Sequence, residues 1–291
     1  MELNKGVKME YEPDWSKKLY GKRLDSLEDL FGVDKPIIGM IHLLPMPGAP
    51  GYDHDVDTII ERALDDAEKL EEGGVDGLIV ENMWNIPYFV GSDIPPETIS
   101  VQSVAARKVV EKVDIPVGAN VIHNAGRGDL AVALASGADF MRICLLTGAQ
   151  VWDTGEFDSG IAAELTRLRK YFDAEDIHIF ADIDKKHSQI FPGIDIKTHA
   201  IWSEYYLADA LIVTGEMTGS PAIVEDVEAV REVSDRPILM GSGMNKDNVP
   251  KFLKYADGAI VGTTFKESGI TENPVDTERV KEFMSAIEDM R

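Results

Sequence analysis

The chain has a single cysteine, Cys144, which excludes an internal disulfide. It sits within FMRICLL, where a buried and unreactive thiol is expected. No run approaches the ~18 consecutive apolar residues of a transmembrane helix. The opening MELNKGVKMEYEPDW contains no apolar signal core, so a cytoplasmic location is expected. Basic residues are scarce: 29 Lys plus Arg stand against 52 Asp plus Glu, a net charge of −23. Such a surface repels nucleic acid and anionic membranes, so neither is expected as a partner. An anionic ligand would need a locally positive pocket within that field. No Gly-x-Gly-x-x-Gly turn follows the first apolar run, which disfavours a dinucleotide fold. No Gly-x-Ser-x-Gly elbow occurs, which removes the main signature of a serine hydrolase.

What is present is regular. The chain has 291 residues, 44% of them hydrophobic, enough for one large core. Eight apolar runs lie at 36–43, 77–82, 116–123, 140–147, 178–184, 210–215, 237–243 and 258–265. Segments of helical period follow them, near 57–72, 98–112, 126–136, 160–172, 197–207, 222–233, 246–255 and 276–289. Near-continuous apolar runs suit strands buried on both faces. Eight such units predict an α/β protein of the (β/α)8 TIM-barrel class. Residues 1–34 read as a short N-terminal extension, with Tyr11, Trp15 and Tyr20 as candidate anchors and a short helix over 24–31 ended by Gly32. That extension is expected to cover the closed end of a barrel spanning 35–291. Small turns such as Gly74-Val75-Asp76-Gly77, Gly137-Ala138-Asp139 and Ala256-Asp257-Gly258 lead from helix to strand and carry no expected chemistry.

The turns after the strands differ in length and content. Residues 44–55, 83–99, 148–160 and 185–195 form long connections, all at the C-terminal face where barrel active sites lie. The second of them, with Trp84, Tyr88 and Phe89, is a candidate lid.

Strand parity then places side chains, because alternate residues point into the barrel. It turns inward His42, either Glu81 or Asn82, Asn120, Arg142, Asp182, Asp184 and Thr214. Of these, Asp182, Asp184, Glu81, Arg142, Asn120 and His42 are the candidate catalytic residues. An ion pair between Arg142 and Asp182 that merely fills the barrel is the competing reading. The last two strands end in Gly241-Ser242-Gly243 and Gly262-Thr263-Thr264, with Asn245 as a helix cap beyond the first. Two such turns offer backbone N–H groups to one anion, and strands 7 and 8 are where barrel phosphate sites lie.

Three chemistries can be weighed on residue types. Asp182, Asp184 and His187 are a candidate metal set, suited to Mg²⁺, Mn²⁺ or Zn²⁺. No inward position is a lysine, which disfavours a Schiff base, and Lys185 and Lys186 lie just past the fifth strand. Carboxylates and His42 could move protons on a sugar phosphate, while Arg142 stabilises an enediolate or binds a second anionic group.

GMIHLLPMPGAP, GLIVENMWNIPY, VGANVIHN, FMRI, ADIDKKHS, ALIVTG and GSGMNKDNV together resemble the BtpA/SgcQ family, from about Pro36 to Phe265. The resemblance implies a TIM barrel related to the phosphate-binding superfamily. The family takes its name from a cyanobacterial protein implicated in photosystem I biogenesis, yet it has members in organisms without photosynthesis. The sugar-operon association of SgcQ-like members implies a phosphorylated sugar or nucleoside-type metabolite. No settled reaction comes with the name.

The expectation is therefore a metabolic enzyme binding a phosphorylated small molecule, with isomerase, epimerase or lyase chemistry at the barrel mouth. The alternative is a non-catalytic assembly or stability factor for a membrane protein complex. Barrels of this kind often self-associate, so a homo-oligomer is a further expectation, although no stretch marks an interface.

Overall fold

The structure, a computed structural model, describes residues 23–53, 55–183, 187–215 and 223–291. Eight parallel strands close a barrel: β1 (Ile37–His42), β2 (Gly77–Glu81), β3 (Val117–Asn120), β4 (Phe140–Ile143), β7 (His178–Ile183), β9 (Ala210–Thr214), β10 (Ile238–Gly241) and β11 (Gly258–Val261). Each is hydrogen-bonded to its neighbours in chain order, and β11 returns to β1. Three further strands, β5 (Ala149–Trp152), β6 (Phe157–Ser159) and β8 (Ser188–Ile190), form a separate antiparallel sheet in the order β6-β5-β8. The helices are α1 (Glu28–Phe31), α2 (Val56–Glu72), α3 (Pro96–Val110), α4 (Arg127–Ser136), α5 (Ala162–Tyr171), α6 (Ile196–Tyr205), α7 (Val224–Arg231), α8 (Val249–Phe252) and α9 (Thr277–Ser285). No described helix is long and apolar enough to cross a membrane.

Two apolar layers follow from strand alternation. Ile37, Ile41, Leu78, Val80, Val117, Ala119, Met141, Ile143, Ile179, Ala181 and Ile183 face the helices. Ile38, Met40, Ile79, Phe140, Phe180, Ala210, Ile212, Leu239 and Ile260 fill the barrel interior. Leu24, Leu27 and Phe31 join this inner cluster and close the bottom, as expected of the segment before β1. Phe31 meets Phe140 edge-on at 5.8 Å, and Phe140 stacks on Phe180 at 4.5 Å. Gly32 ends α1 with φ 73°, a left-handed stop.

The floor is pinned by a repeat that the expected turns only hinted at. Asp76, Asp139, Asp209 and Asp257 precede β2, β4, β9 and β11. Each carboxylate accepts the backbone N–H of the strand before it: Ile37 at 2.7 Å, Val117 at 2.9 Å, Ile179 at 2.8 Å and Ile238 at 2.7 Å. Each Asp also donates its own N–H to the carbonyl of that same residue, at 2.7–2.9 Å. A hydrogen bond to a charged group contributes ~1.5–3 kcal/mol, so the four clamps hold the strand pairs in register.

Three expectations need correction. The loops at 148–160 and 185–195 contain the antiparallel sheet, in which β5 and β6 form a local hairpin and β5 also pairs with the distant β8, Gln150 opposite Ile190. The segment at 246–255 forms a single helical turn, Val249–Phe252, whose start cannot lie further back because Pro250, in its first turn, has no N–H to donate. The runs at 116–123 and 140–147 stop being strand at Asn120 and Ile143, where their backbones leave the ladder for side-chain partners. Asn124 accepts the N–H of Leu145, and Asn82 accepts the N–H of Ile122.

Candidate active site at the barrel mouth

The inner apolar layers stop at Met40 and Ile260, and polar side chains begin one turn of the strands higher. A cavity of about 180 Å³ opens there, lined among others by His42, Glu81, Met83, Arg142, Ser242, Gly243, Gly262, Thr263 and Thr264. Three of the six sequence-derived catalytic candidates thus share one cavity with most of the expected phosphate turns.

Arg142 is the centre of the polar layer. Its Nε donates to Asp182 Oδ2 at 3.1 Å and its Nη2 to Asp182 Oδ1 at 3.0 Å. Its Nη1 lies 3.7 Å from Glu81 Oε2. Burial alone would lower the pKa of the guanidinium, but Asp182 and then Glu81 raise it above its ordinary value and hold the charge. Asn120 Nδ2 donates to the Arg142 carbonyl at 2.7 Å and fixes the backbone beneath the guanidinium. The structure places Asp182 and Asn120, both fully buried, behind Arg142 and off the cavity wall.

Parity left Glu81 and Asn82 open, and the structure separates them. Glu81 faces the cavity. Asn82 points out of it, donating to the Ile122 carbonyl at 3.0 Å and accepting the Ile122 N–H at 2.7 Å. Thr214 shares the inward row of Ala210 and Ile212, where its methyl group faces Gly241. Gly241 is therefore a packing glycine: a Cβ there would lie 2.9 Å from that methyl. It does not line the cavity. Asp184 lies outside the described residues, as do Lys185, Lys186, Tyr11, Trp15 and Tyr20.

The two terminal turns are built as one unit. Ser242 and Gly243 both have positive φ, 71° and 66°, which bends the chain sharply after β10. Asn245 Oδ1 accepts the Asn248 N–H at 3.1 Å, and Asn248 Oδ1 accepts the Asn245 N–H at 2.8 Å, a reciprocal pair that shapes the turn before α8, whose N-cap is Asn248 rather than the expected Asn245. Asn248 Nδ2 also donates to the Gly243 carbonyl at 2.9 Å. The Thr264 hydroxyl donates to the Met244 carbonyl, tying the turn after β11 to the turn after β10. Thr263 and Thr264 open a 3₁₀ turn, so their backbone N–H groups lack acceptors within it.

An aromatic stack closes the other side of the mouth. His123 lies flat on Trp152, 3.8 Å between centroids and 5° between planes, and Tyr88 leans on its other face at 4.6 Å. The candidate lid is pinned to this stack, since Phe89 accepts the His123 N–H at 3.3 Å and Gly91 donates to the His123 carbonyl at 3.1 Å. Burial, then the Glu81 carboxylate, push the Tyr88 hydroxyl up, so it stays protonated beside the site. Tyr88 was legible as a lid residue but not as a neighbour of Glu81. His199 on α6 was not singled out at all: it is buried, contacts the Thr147 backbone and lies in the field of Asp182, and burial pushes its pKa down to about 4.

The two described members of the candidate metal set have separate partners. Asp182 binds Arg142 with both oxygens, and His187 Nδ1 lies 3.2 Å from Asp153. Among the described residues no group of three His, Cys, Asp or Glu side chains is arranged to hold a metal.

Fold and site together define a (β/α)8 barrel with a polar cavity at the C-terminal ends of its strands. The chain belongs to the BtpA family, whose model matches residues 33–289. An uncharacterized protein of Thermococcus kodakarensis is 40% identical over 88% of this chain and 97% of its own length. The photosystem I biogenesis protein BtpA of Synechocystis is 35% identical over 88% of this chain and 89% of its own. Among solved structures, (S)-3-O-geranylgeranylglyceryl phosphate synthase of Thermoplasma acidophilum, solved with sn-glycerol-1-phosphate, superposes with a TM-score of 0.56 at 16% identity, over 90% of this chain and 97% of that one. Thiamine phosphate pyrophosphorylase of Pyrococcus furiosus does so with 0.54 at 15% identity, over 88% and 96%. These two likenesses establish the barrel.

Proposed function

We propose that the protein is a metabolic enzyme that binds a phosphorylated small molecule, a sugar phosphate or nucleoside-type metabolite, and moves a proton on it. The phosphate sits between the Ser242-Gly243 and Gly262-Thr264 turns. The reacting end faces Glu81 and Arg142 across the cavity. Glu81 and His42 are the wall groups able to change protonation, and Arg142 stabilises negative charge that develops on an oxygen. That set can serve isomerase, epimerase or lyase chemistry. The observation that carries the reading is one cavity holding a charged arginine, a carboxylate and two linked glycine turns. The solved neighbours named above act on phosphorylated compounds by their titles, which supports the same class of ligand.

The test is thermal unfolding against a panel of sugar phosphates, nucleotides and divalent ions. A rise of several degrees with one phosphate ester, absent in Arg142→Ala, is the expected result. A panel without any response to phosphorylated compounds would sink the proposal.

A second reading comes from the name of the Synechocystis relative, a biogenesis protein. On that reading the chain assists assembly of a membrane protein complex and the cavity has no catalytic role. Cells carrying Glu81→Gln discriminate the two: assembly survives the substitution, whereas catalysis does not.

A further inference from the structure

We propose that His42 is the charge partner of the bound phosphate, protonated in the complex, which leaves Glu81 as the proton carrier. The inference rests on the reading that the two glycine turns take a phosphate, and it divides the labour between the two titratable groups of the cavity.

The placement of the imidazole carries the argument. His42 ends β1, and β1 is hydrogen-bonded to β11, so the ring stands beside the turn that follows β11. A Cβ added to Gly262 would lie 3.1 Å from His42 Cε1 and 3.3 Å from Nε2. The ring edge thus occupies the space that any other residue at 262 would need. It belongs to the floor of the anion turn and only secondarily to the reacting end.

Charge supplies the second argument. The net charge of −23 opposes a dianion, so the site needs a local cation. Among the described residues lining the cavity, the side chains able to carry positive charge are His42 and Arg142. Arg142 already serves two carboxylates, Asp182 through two hydrogen bonds and Glu81 at 3.7 Å. Glu81 on β2 is the register partner of His42, and Arg142 on β4 is neutralised by its own carboxylates. The turns after β10 and β11 present Ser242, Thr263 and Thr264, which carry no charge. A carboxylate on one side and a dianion on the other both stabilise an imidazolium.

The probe is sulfate, a dianion that does not itself titrate near neutrality. Sulfate binding is measured by calorimetry between pH 6 and 9, alongside inorganic phosphate. An ordinary imidazole titrates near ~6.5, and binding that requires the imidazolium weakens by up to about tenfold per pH unit above that point. The wild type should show this loss, and His42→Gln should bind sulfate weakly with a flat profile. Nitrogen chemical shifts of the wild-type imidazole give a readout independent of the variant's folding: added sulfate should raise the His42 titration midpoint. Binding of both anions with a flat wild-type profile, or an unchanged slope in His42→Gln, overturns the His42 assignment and leaves the phosphate turns standing. Failure of either anion to bind at any pH overturns the phosphate reading together with the inference.

Discussion

Arg142 and Asp182 share two parallel hydrogen bonds, at 3.1 and 3.0 Å, at a depth where the side chains are 6% and 0% exposed. Such a pair is costly to break from one side, because the survivor is a buried charge. Asp182→Ala should lower stability by about 3–5 kcal/mol in denaturant unfolding. The double variant Arg142→Met with Asp182→Leu should recover part of that loss, the remainder being the cost of leaving Glu81 without its cation, and still fail to respond to any phosphate ester. Recovery of the ligand response in the double variant would remove Arg142 from the proposed chemistry.

Thr264→Val tests whether the two turns act together. It deletes the hydrogen bond to the Met244 carbonyl while keeping the shape of the side chain. A stability loss of ~1 kcal/mol is expected for one such bond. The ligand-induced rise in Tm should shrink by much more than the resting Tm does, since the turns would no longer be held at one spacing.

The pH dependence of stability isolates His199. Burial, opposed by the Thr147 backbone contact and by Asp182, puts its folded pKa at about 4, below the ordinary imidazole value. Between those limits the unfolded chain holds a proton that the folded chain refuses. Stability supplied by neutral His199 is therefore complete above about pH 6.5 and is lost as pH falls towards 4, a swing on the order of 3 kcal/mol. Asp129 runs the other way: burial, opposed by backbone N–H groups led by that of Val121, pushes its carboxyl up to about 7. Its contribution is present at low pH and lost as pH rises through that value. The informative measurement is wild type against His199→Gln, in which Asp129 cancels. Parallel profiles for the two proteins between pH 4 and 6.5 would refute the assignment.

Gly118→Ala probes the packed floor. A Cβ at Gly118 would come within 2.3 Å of the Phe140 ring, far inside contact distance. Overpacking of this kind costs ~1–3 kcal/mol, and Phe140→Leu in the same chain should return part of it. Chemical denaturation of the three proteins checks the relation.

Much of this was legible in the sequence, for physical reasons. Strands buried on both faces leave long apolar runs, so all eight barrel strands could be located. Alternation then turned His42, Arg142, Asn120 and Asp182 inward as observed, and helical spacing put Leu24, Leu27 and Phe31 on the one face that packs under the barrel. Alternation fixes direction but not depth, so it could not tell that Asp182 and Asn120 stand behind Arg142 while His42 and Glu81 reach the cavity. At the strand end it could not choose between Glu81 and Asn82, because that choice depends on where the ladder stops. The β6-β5-β8 sheet stayed hidden because its strands are only three or four residues long, too short to show a period, and β8 finds its partner far back along the chain. The stack of Tyr88, His123 and Trp152 joins two loops and the end of β5, and no local pattern announces it.

The four aspartate clamps divide the chain into modules, each a pair of successive barrel strands with the helix between them: β1 with β2, β3 with β4, β7 with β9 and β10 with β11. Every clamp closes within a module, so a break between modules costs none of them. Two co-expressed fragments parted in the connector at 172–177, between α5 and β7, should therefore reassemble into a folded barrel. A break between α6 and Asp209 should not, because it parts Ile179 from its carboxylate. The molecule's divisibility is written into its floor, while its mouth is left free to change.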